Sequence, residues 1–486
     1  MNESLKSRTT HGLYWSFLDR IGQQGIQFII SVILARLLLP EQYGLIAMLS
    51  IFMAVAQGFI DSGFNSVLIQ KKNSTHLDEC TIFYFNLGVS LLAVGLLWIG
   101  APLIAAFYKM PSLIILTRVL SVNLVIYAFE SVQTALLTKH INFKMQMKLT
   151  MTATILSGTI GVILAYKGFG IWSLVVQSII GNAVRTGLLW FFQRWRPSLQ
   201  FSFQALSSMY SFGSKLFFSG LLEKMYNNLF ALIIGKVFSA ADLGFYARAN
   251  QLQQLPAENI AGPISRVTYP VFSSIQDDKP RLKRGVRKAL ATLVMFNFPL
   301  MVGLASVAKP LVVLLLTKKW LPCVPYLQLL CGIGMLYPLH VINLNVLMAQ
   351  GRSDLFFRLE ILKKIVGVTL IAITYRWGIL IMIAGQIVGS IICYFINSYY
   401  SGVLLEYPIK EQLQDLWRSL ALSTVMGMCV YLLGLMQLPG ALVRLMVQVA
   451  GGTAIYCYLC WAAKLPEFLE LWDFIKLRKD GTYGFI

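Results

Sequence analysis

Apolar runs of about 20 residues recur along nearly the whole of this 486-residue chain, and no gap between them much exceeds that length. A helix of that size crosses the hydrocarbon core of a bilayer, where only helices and closed barrels satisfy their own backbone. Of the residues, 57% are hydrophobic and 13% charged, against about 25% charged in soluble domains. The fold class expected is an all-α polytopic membrane protein with no soluble domain large enough to fold alone. About fourteen spans are expected, beginning with Leu13 to Leu38 and Tyr43 to Ile69 and ending with Ala441 to Ala463. One of them, Ala289 to Leu316, contains Pro299 and Pro310 and is expected to kink.

The formal charge is +20, from 41 basic and 21 acidic residues. A basic chain suggests nucleic acid, but the basic residues sit in alternate loops. Lys139, Lys144 and Lys148 share one such loop, and Arg281, Lys283, Arg284 and Arg287 another; the intervening loops hold few, Lys109, Lys236 and Arg376 among them. That is the distribution of cytoplasmic loops in membrane proteins. Both termini are therefore expected inside, and no nucleic-acid partner is expected. The polar N-terminus leads into an expected uncleaved signal anchor. Seven cysteines, mostly within apolar runs, argue against a disulfide framework. Cys457 and Cys460 read as core packing rather than a redox or metal pair.

An internal repeat appears at an offset of 200 residues. The frames are ARLLLPEQYGLIA from Ala35 and GKVFSAADLGFYA from Gly235, which align Arg36 with Lys236 and Gly44 with Gly244. The expected organisation is a six-helix bundle over 1–200, a second in parallel orientation over 201–405, and two further helices with a cytoplasmic tail over 406–486. Trp195 to Phe203 and Leu465 to Leu477 are expected to lie on the membrane surface. Trp15, Trp172, Trp320 and Trp417 read as interface anchors.

Polar residues inside the spans are the functional candidates, because an ionisable group in a bilayer usually faces a bundle interior or a wet cavity. Between Ser211 and Pro270, Lys215, Ser219, Glu223 and Asn227 recur every four residues, one stripe of a helix, with Lys224 and Asn228 alongside. Arg248 and Arg266 follow in the next span. Elsewhere stand Asp19 and Arg20, the series Gln57, Asp61 and Asn65, then Arg118, Glu130 and Arg185. Two readings stay open for Asp61 and Glu130: binding of a coupling cation or proton, or neutralisation of a neighbouring arginine. Arg118, Arg185 and Lys215 either face a cavity or snorkel to the interface. The basic groups slightly outnumber the acids, which favours an anionic ligand, phosphate especially. Enzyme motifs are missing: Gly235-Lys236 is followed by Val237, which breaks a phosphate-binding loop, and no G-x-S-x-G occurs. The four histidines have no metal-ligand spacing. Neither catalysis nor a cofactor is expected.

Several short stretches, in order, resemble the polysaccharide-exporter branch of the multidrug/oligosaccharidyl-lipid/polysaccharide (MOP) superfamily, close to its colanic acid, O-antigen and capsule exporters. They include Ala35 to Gly44, Asp61-Ser62-Gly63, Gly170 to Val175, Trp195-Arg196-Pro197, Leu243 to Ala249, Pro263 to Val267 and Ala349 to Arg352. The resemblance implies two six-helix bundles plus a terminal pair, working by alternating access. It implies export of an undecaprenyl-diphosphate-linked oligosaccharide across a bacterial cytoplasmic membrane, alongside a polysaccharide polymerase and a chain-length regulator. The diphosphate is then expected on Arg20, Lys224, Arg248 and Arg266, with Arg118, Lys215 and Asn227 completing the polar cavity. Asp61 and Glu130 are the candidates for coupling to a Na+ or H+ gradient; consumption of product outside is the other energy source left open. Family members often carry an acid where this chain has Phe230, so no cation site is expected there.

Overall fold

The computed structural model describes residues 22–479 other than 62, 72, 437 and 438, and within that range all side chains except those of 210–216, 261, 263, 353 and 474–479. Trp15, Asp19 and Arg20 lie outside the described residues, and Lys215 outside the described side chains. Among the described residues there is no strand. The chain forms two units, Met1–Gly244 and Phe245–Ile486. In the first, α1 (22–37) is followed by α2 (Pro40–Asp61), α3 (Phe64–Gln70), α4 (His76–Tyr108), α5 (Leu113–Lys139), α6 (Phe143–Tyr166), α7 (Ile171–Phe192) and α8 (Phe203–Val237). Helix α9 (Ala240–Ser274) begins in the first unit and runs into the second. The second continues with α10 (Lys279–Ser306), α11 (Ala308–Leu316), α12 (Cys323–Ala349), α13 (Ser353–Thr374), α14 (Ile379–Leu405), α15 (Ile409–Leu435), α16 (Ala441–Ala462) and α17 (Pro466–Lys479). Contacts group α8 with the first unit, whereas the repeat groups it with the second set of helices.

Ten of the described helices are long and apolar enough to cross a membrane. Their outer faces are apolar: Leu92, Ile99 and Leu103 of α4 are 70%, 80% and 74% exposed, an arrangement suited to lipid rather than water. Helices α8 and α9 are not among the ten, because their polar residues lower the hydropathy, yet each has 35 residues. At 1.5 Å per residue each is about 52 Å long, more than the bilayer core requires.

Two expected spans are broken. Tyr43 to Ile69 is interrupted after Asp61, where Gly63 takes a φ of 74° and α3 restarts at Phe64. Ala289 to Leu316 is interrupted at Val307, between α10 and α11. The prolines inside α10 and α12 do not end their helices. A proline removes the N–H that would bond the carbonyl four residues back. For Pro299 that carbonyl is Met295, and Tyr456 of α16 donates its O–H to it at 2.8 Å. For Pro338 it is Gly334, and Asn297 of α10 donates its side-chain N–H to it at 3.0 Å. Each of these helices is thus tied to a neighbour through the carbonyl its proline leaves without a backbone donor.

The repeat has a structural counterpart. Both frames run helix, two-residue break, helix, with the second helix opening at Pro40 and at Ala240. The two openings meet. A Cβ on Gly44 would lie 1.6 Å from the carbonyl oxygen of Ala240, and one on Gly244 would lie 2.0 Å from that of Pro40. The aligned glycines therefore let the first turns of α2 and α9 touch backbone to backbone.

Some side chains differ from expectation. Trp320 is fully buried rather than an interface anchor, with Phe245 edge-on at 5.9 Å and the Arg248 guanidinium 6.0 Å from its ring centre. Its approach along a short 3-10 turn after Thr317 folds it inward. Cys460 is buried against Met295 and Leu465, but Cys457, one turn before it in α16, is exposed. The segment after α7 is not helical, and Trp195 is held inward by an N–H bond to Glu79 of 2.7 Å. The tail does form a helix, α17, anchored by Lys288–Glu470 at 2.6 Å and by Phe468 packing on the Met295 cluster.

Candidate functional site

Helix α5 places Tyr127 and Glu130 three residues apart, one above the other on the same face. The end of α2 brings Asp61 to this face. Tyr127 donates its O–H to Asp61 Oδ1 at 2.5 Å, and Lys224 of α8 reaches Asp61 Oδ2 at 3.0 Å. Gly58, one turn before Asp61, packs beside the Lys224 stem, whose Cδ would make ordinary contact at 3.6 Å with a Cβ there. Asn65 still reaches Asp61, at 3.5 Å, across the break between α2 and α3. On the other side Arg185 of α7 sits 3.4 Å from Glu130 Oε1, and Thr186 donates to Oε2 at 3.3 Å.

All of these groups but Thr186 line a cavity of about 510 Å³, together with Gly63, Ser66, Phe217 and Leu221. Its two ion pairs differ in setting. The Lys224 and Asp61 side chains are 35% and 32% exposed, whereas Glu130 is 4% exposed beside an Arg185 at 27%. Both bases are neutralised, each by a single carboxylate oxygen. A guanidinium with five donors and an ammonium with three retain unused hydrogen-bonding capacity in such pairs. Among the described residues the charges lining the cavity therefore cancel, and it is rich in donors.

The structure thus unites Lys224, Asp61 and Glu130. Glu130 stands beside an arginine, Arg185, as the neutralising reading has it, whereas Asp61 stands beside a lysine, Lys224. Asn227 is exposed; its neighbour Asn228 instead faces α2, accepting from Ser50 Oγ at 3.1 Å. Of the anticipated stripe, Ser219, Glu223 and Asn227 are exposed together, while Lys224 and Asn228 pack inward. Arg118 is exposed near the start of α5, twelve residues or about 18 Å from Glu130. In the second unit Arg248 is buried, donating to Gln251 Oε1 at 2.6 Å beside Trp320, and Arg266 is exposed on α9. Lys236, at the end of α8, donates to the Phe107 carbonyl and lies over the Phe107 ring. Tyr127 carries no signal in the sequence. Arg185 does, as a basic residue well inside an apolar run.

Residues 33–325, more than half of the chain, match the family described as Polysaccharide biosynthesis protein. The chain belongs to this family. Similarity extends further: the Lipopolysaccharide biosynthesis protein WzxC of Escherichia coli (strain K12) is 28% identical over 444 residues, covering 89% of each chain. The Succinoglycan biosynthesis transport protein ExoT of Rhizobium meliloti (strain 1021) is 26% identical over 498 residues, covering 99% of this chain and 98% of its own. The fold is that of the lipid II flippase MurJ in its inward closed conformation, at a TM-score of 0.75 and 15% identity, covering 92% of this chain and 98% of MurJ. This family member is thus a multi-pass α-helical membrane protein of polysaccharide biosynthesis, as its short motifs implied.

Proposed function

We propose that the chain translocates undecaprenyl-diphosphate-linked oligosaccharide units across the bacterial cytoplasmic membrane, by alternating access, for assembly of a surface polysaccharide. The observation that carries this is the cavity in which Lys224 and Arg185 stand within the spans of the first unit, each against one carboxylate. Uncompensated charge at that depth is costly. An arriving diphosphate replaces the carboxylate oxygens with its own, making charge-assisted bonds to both bases. Among the other basic candidates, Arg118 and Arg266 are exposed and open to ligand, whereas Arg248 is engaged with Gln251. Gradient coupling through Asp61 or Glu130, cytoplasmic termini, and delivery to a polymerase with its chain-length regulator belong to the same reading. The relatives' names, a polysaccharide transport protein and a lipid-linked-precursor flippase fold, support it.

The oxygens of Asp61, Tyr127 and Glu130 around one cavity also favour a second reading, a cation or drug antiporter. One experiment separates them. Lys224→Gln and Asp61→Asn variants are expressed at equal level in cells that depend on this chain for surface glycan. Under the proposal Lys224→Gln lowers glycan display about tenfold or more, the worth of one charge-assisted contact. An antiporter keeps its transport with Lys224→Gln and loses it with Asp61→Asn. Unchanged display in both variants means a non-transporting scaffold of the assembly complex.

A further inference from the structure

Arg185 lines two cavities. The second, of about 320 Å³, lies between α1, α6 and α7 and is walled by Gln23, Gln27, Thr154, Ser157, Gln177 and Asn182 beside the guanidinium. It is built by close helix approach. A Cβ on Gly158 would fall 2.1 Å from Ile30 Cδ1, and one on Gly161 3.0 Å from Gln177 Cβ, so glycine at both positions favours the close approach of α1 and Gln177.

The chemistry of this wall differs from that of its neighbour. Among the described residues no carboxylate lines it, and Arg185 is its one charged group. The side-chain amides of Gln23, Gln27 and Gln177 make no hydrogen bond to another described residue. Thr154 donates to the Thr150 carbonyl at 2.8 Å, which leaves its oxygen lone pairs as acceptors; Asn182 donates to Asn123 at 2.9 Å, which leaves its carbonyl. A cation needs acceptors and a phosphate needs donors. Carboxamides and hydroxyls supply both at once, which is what hydroxyl and acetamido groups require. The volume is at the lower end for small-molecule cavities, room for one sugar ring and not for an oligosaccharide.

We infer that this amide-lined cavity is the subsite for the sugar attached directly to the diphosphate, with Arg185 as the residue shared between phosphate and sugar. The inference rests on the diphosphate reading of the adjoining cavity. A ligand spanning both places its charge among Lys224 and Arg185 and its first ring among the glutamines.

The test uses the full chain in lipid nanodiscs and two probes, farnesyl diphosphate and farnesyl diphospho-N-acetylglucosamine. Their difference isolates the sugar. The wild type is expected to bind the sugar-bearing probe about tenfold more tightly, one good hydrogen-bonded contact. Gln177→Leu, which removes an amide, and Ser178→Phe, which fills the cavity from an exposed position, are expected to erase that gain and leave the affinity for farnesyl diphosphate within about twofold. If Gln177→Leu fails to fold, Ser178→Phe decides alone. A sugar gain below twofold in the wild type, or one that survives in Ser178→Phe, overturns the subsite while the diphosphate reading stands. Absence of binding by either probe overturns both.

Discussion

Glu130 and Arg185 are the pair whose strength depends most on burial. With Glu130 nearly inaccessible, loss of its partner leaves a carboxylate without compensation in a low-dielectric setting. Arg185→Gln alone is expected to cost about 3 kcal/mol of stability. The double variant Glu130→Gln/Arg185→Gln should recover most of that, because both charges are then gone. Thermal unfolding of the three purified proteins in one detergent checks it; a double variant no better than Arg185→Gln rejects the pair as a stability element. Asp61, Glu130 and Lys224, which line one cavity, stood out in the sequence because ionisable groups are rare in apolar runs. Tyr127 was not, since a tyrosine in a helix is commonplace until its O–H is seen on Asp61. Arg248 has the same sequence signature as Lys224, and only packing separates a base held by Gln251 and Trp320 from one that lines a cavity.

At the scale of elements, the apolar runs located most helices to within a few residues, but not their breaks. Gln57, Asp61 and Asn65 have the four-residue spacing of one continuous helix, yet Gly63 turns the chain left-handed and ends α2 at Asp61. Proline works in the opposite sense in α10 and α12, where a side chain from another helix repairs what it removes. Asn297→Leu should leave the Gly334 carbonyl unpaired and cost about 1–3 kcal/mol. Adding Pro338→Ala restores a backbone donor, so the double variant should be more stable than Asn297→Leu alone. Thermal unfolding of both decides; an additive loss would show that Asn297 matters for another reason. That asparagine lies forty-one residues before the proline in the chain, and no local pattern links them.

For the whole molecule, the repeat read at an offset of 200 residues carries a specific consequence. Gly44 and Gly244 fill equivalent roles at one crossing, each against the backbone of the other's opening turn. Gly44→Ala and Gly244→Ala should therefore behave alike, each costing about 1–3 kcal/mol by overpacking, with lower unfolding temperatures and reduced yield. Gly88, which has open space around its Cβ position, is the control: Gly88→Ala should match the wild type. Similar losses in all three would assign the effect to glycine itself rather than to the crossing. Composition and periodicity by themselves determined that this is an all-α membrane protein, roughly where its helices run, and which few polar residues sit at membrane depth. Those properties follow from solvation and from the 3.6-residue turn, which act locally. Only the tertiary structure decided which of these residues meet. Periodicity assigns a side chain to a face of its own helix, but the facing helix is chosen by packing between segments far apart in the chain, 163 residues for Asp61 and Lys224. The pairing of Asp61 with Lys224, and the sharing of Arg185 between two cavities, come from that choice.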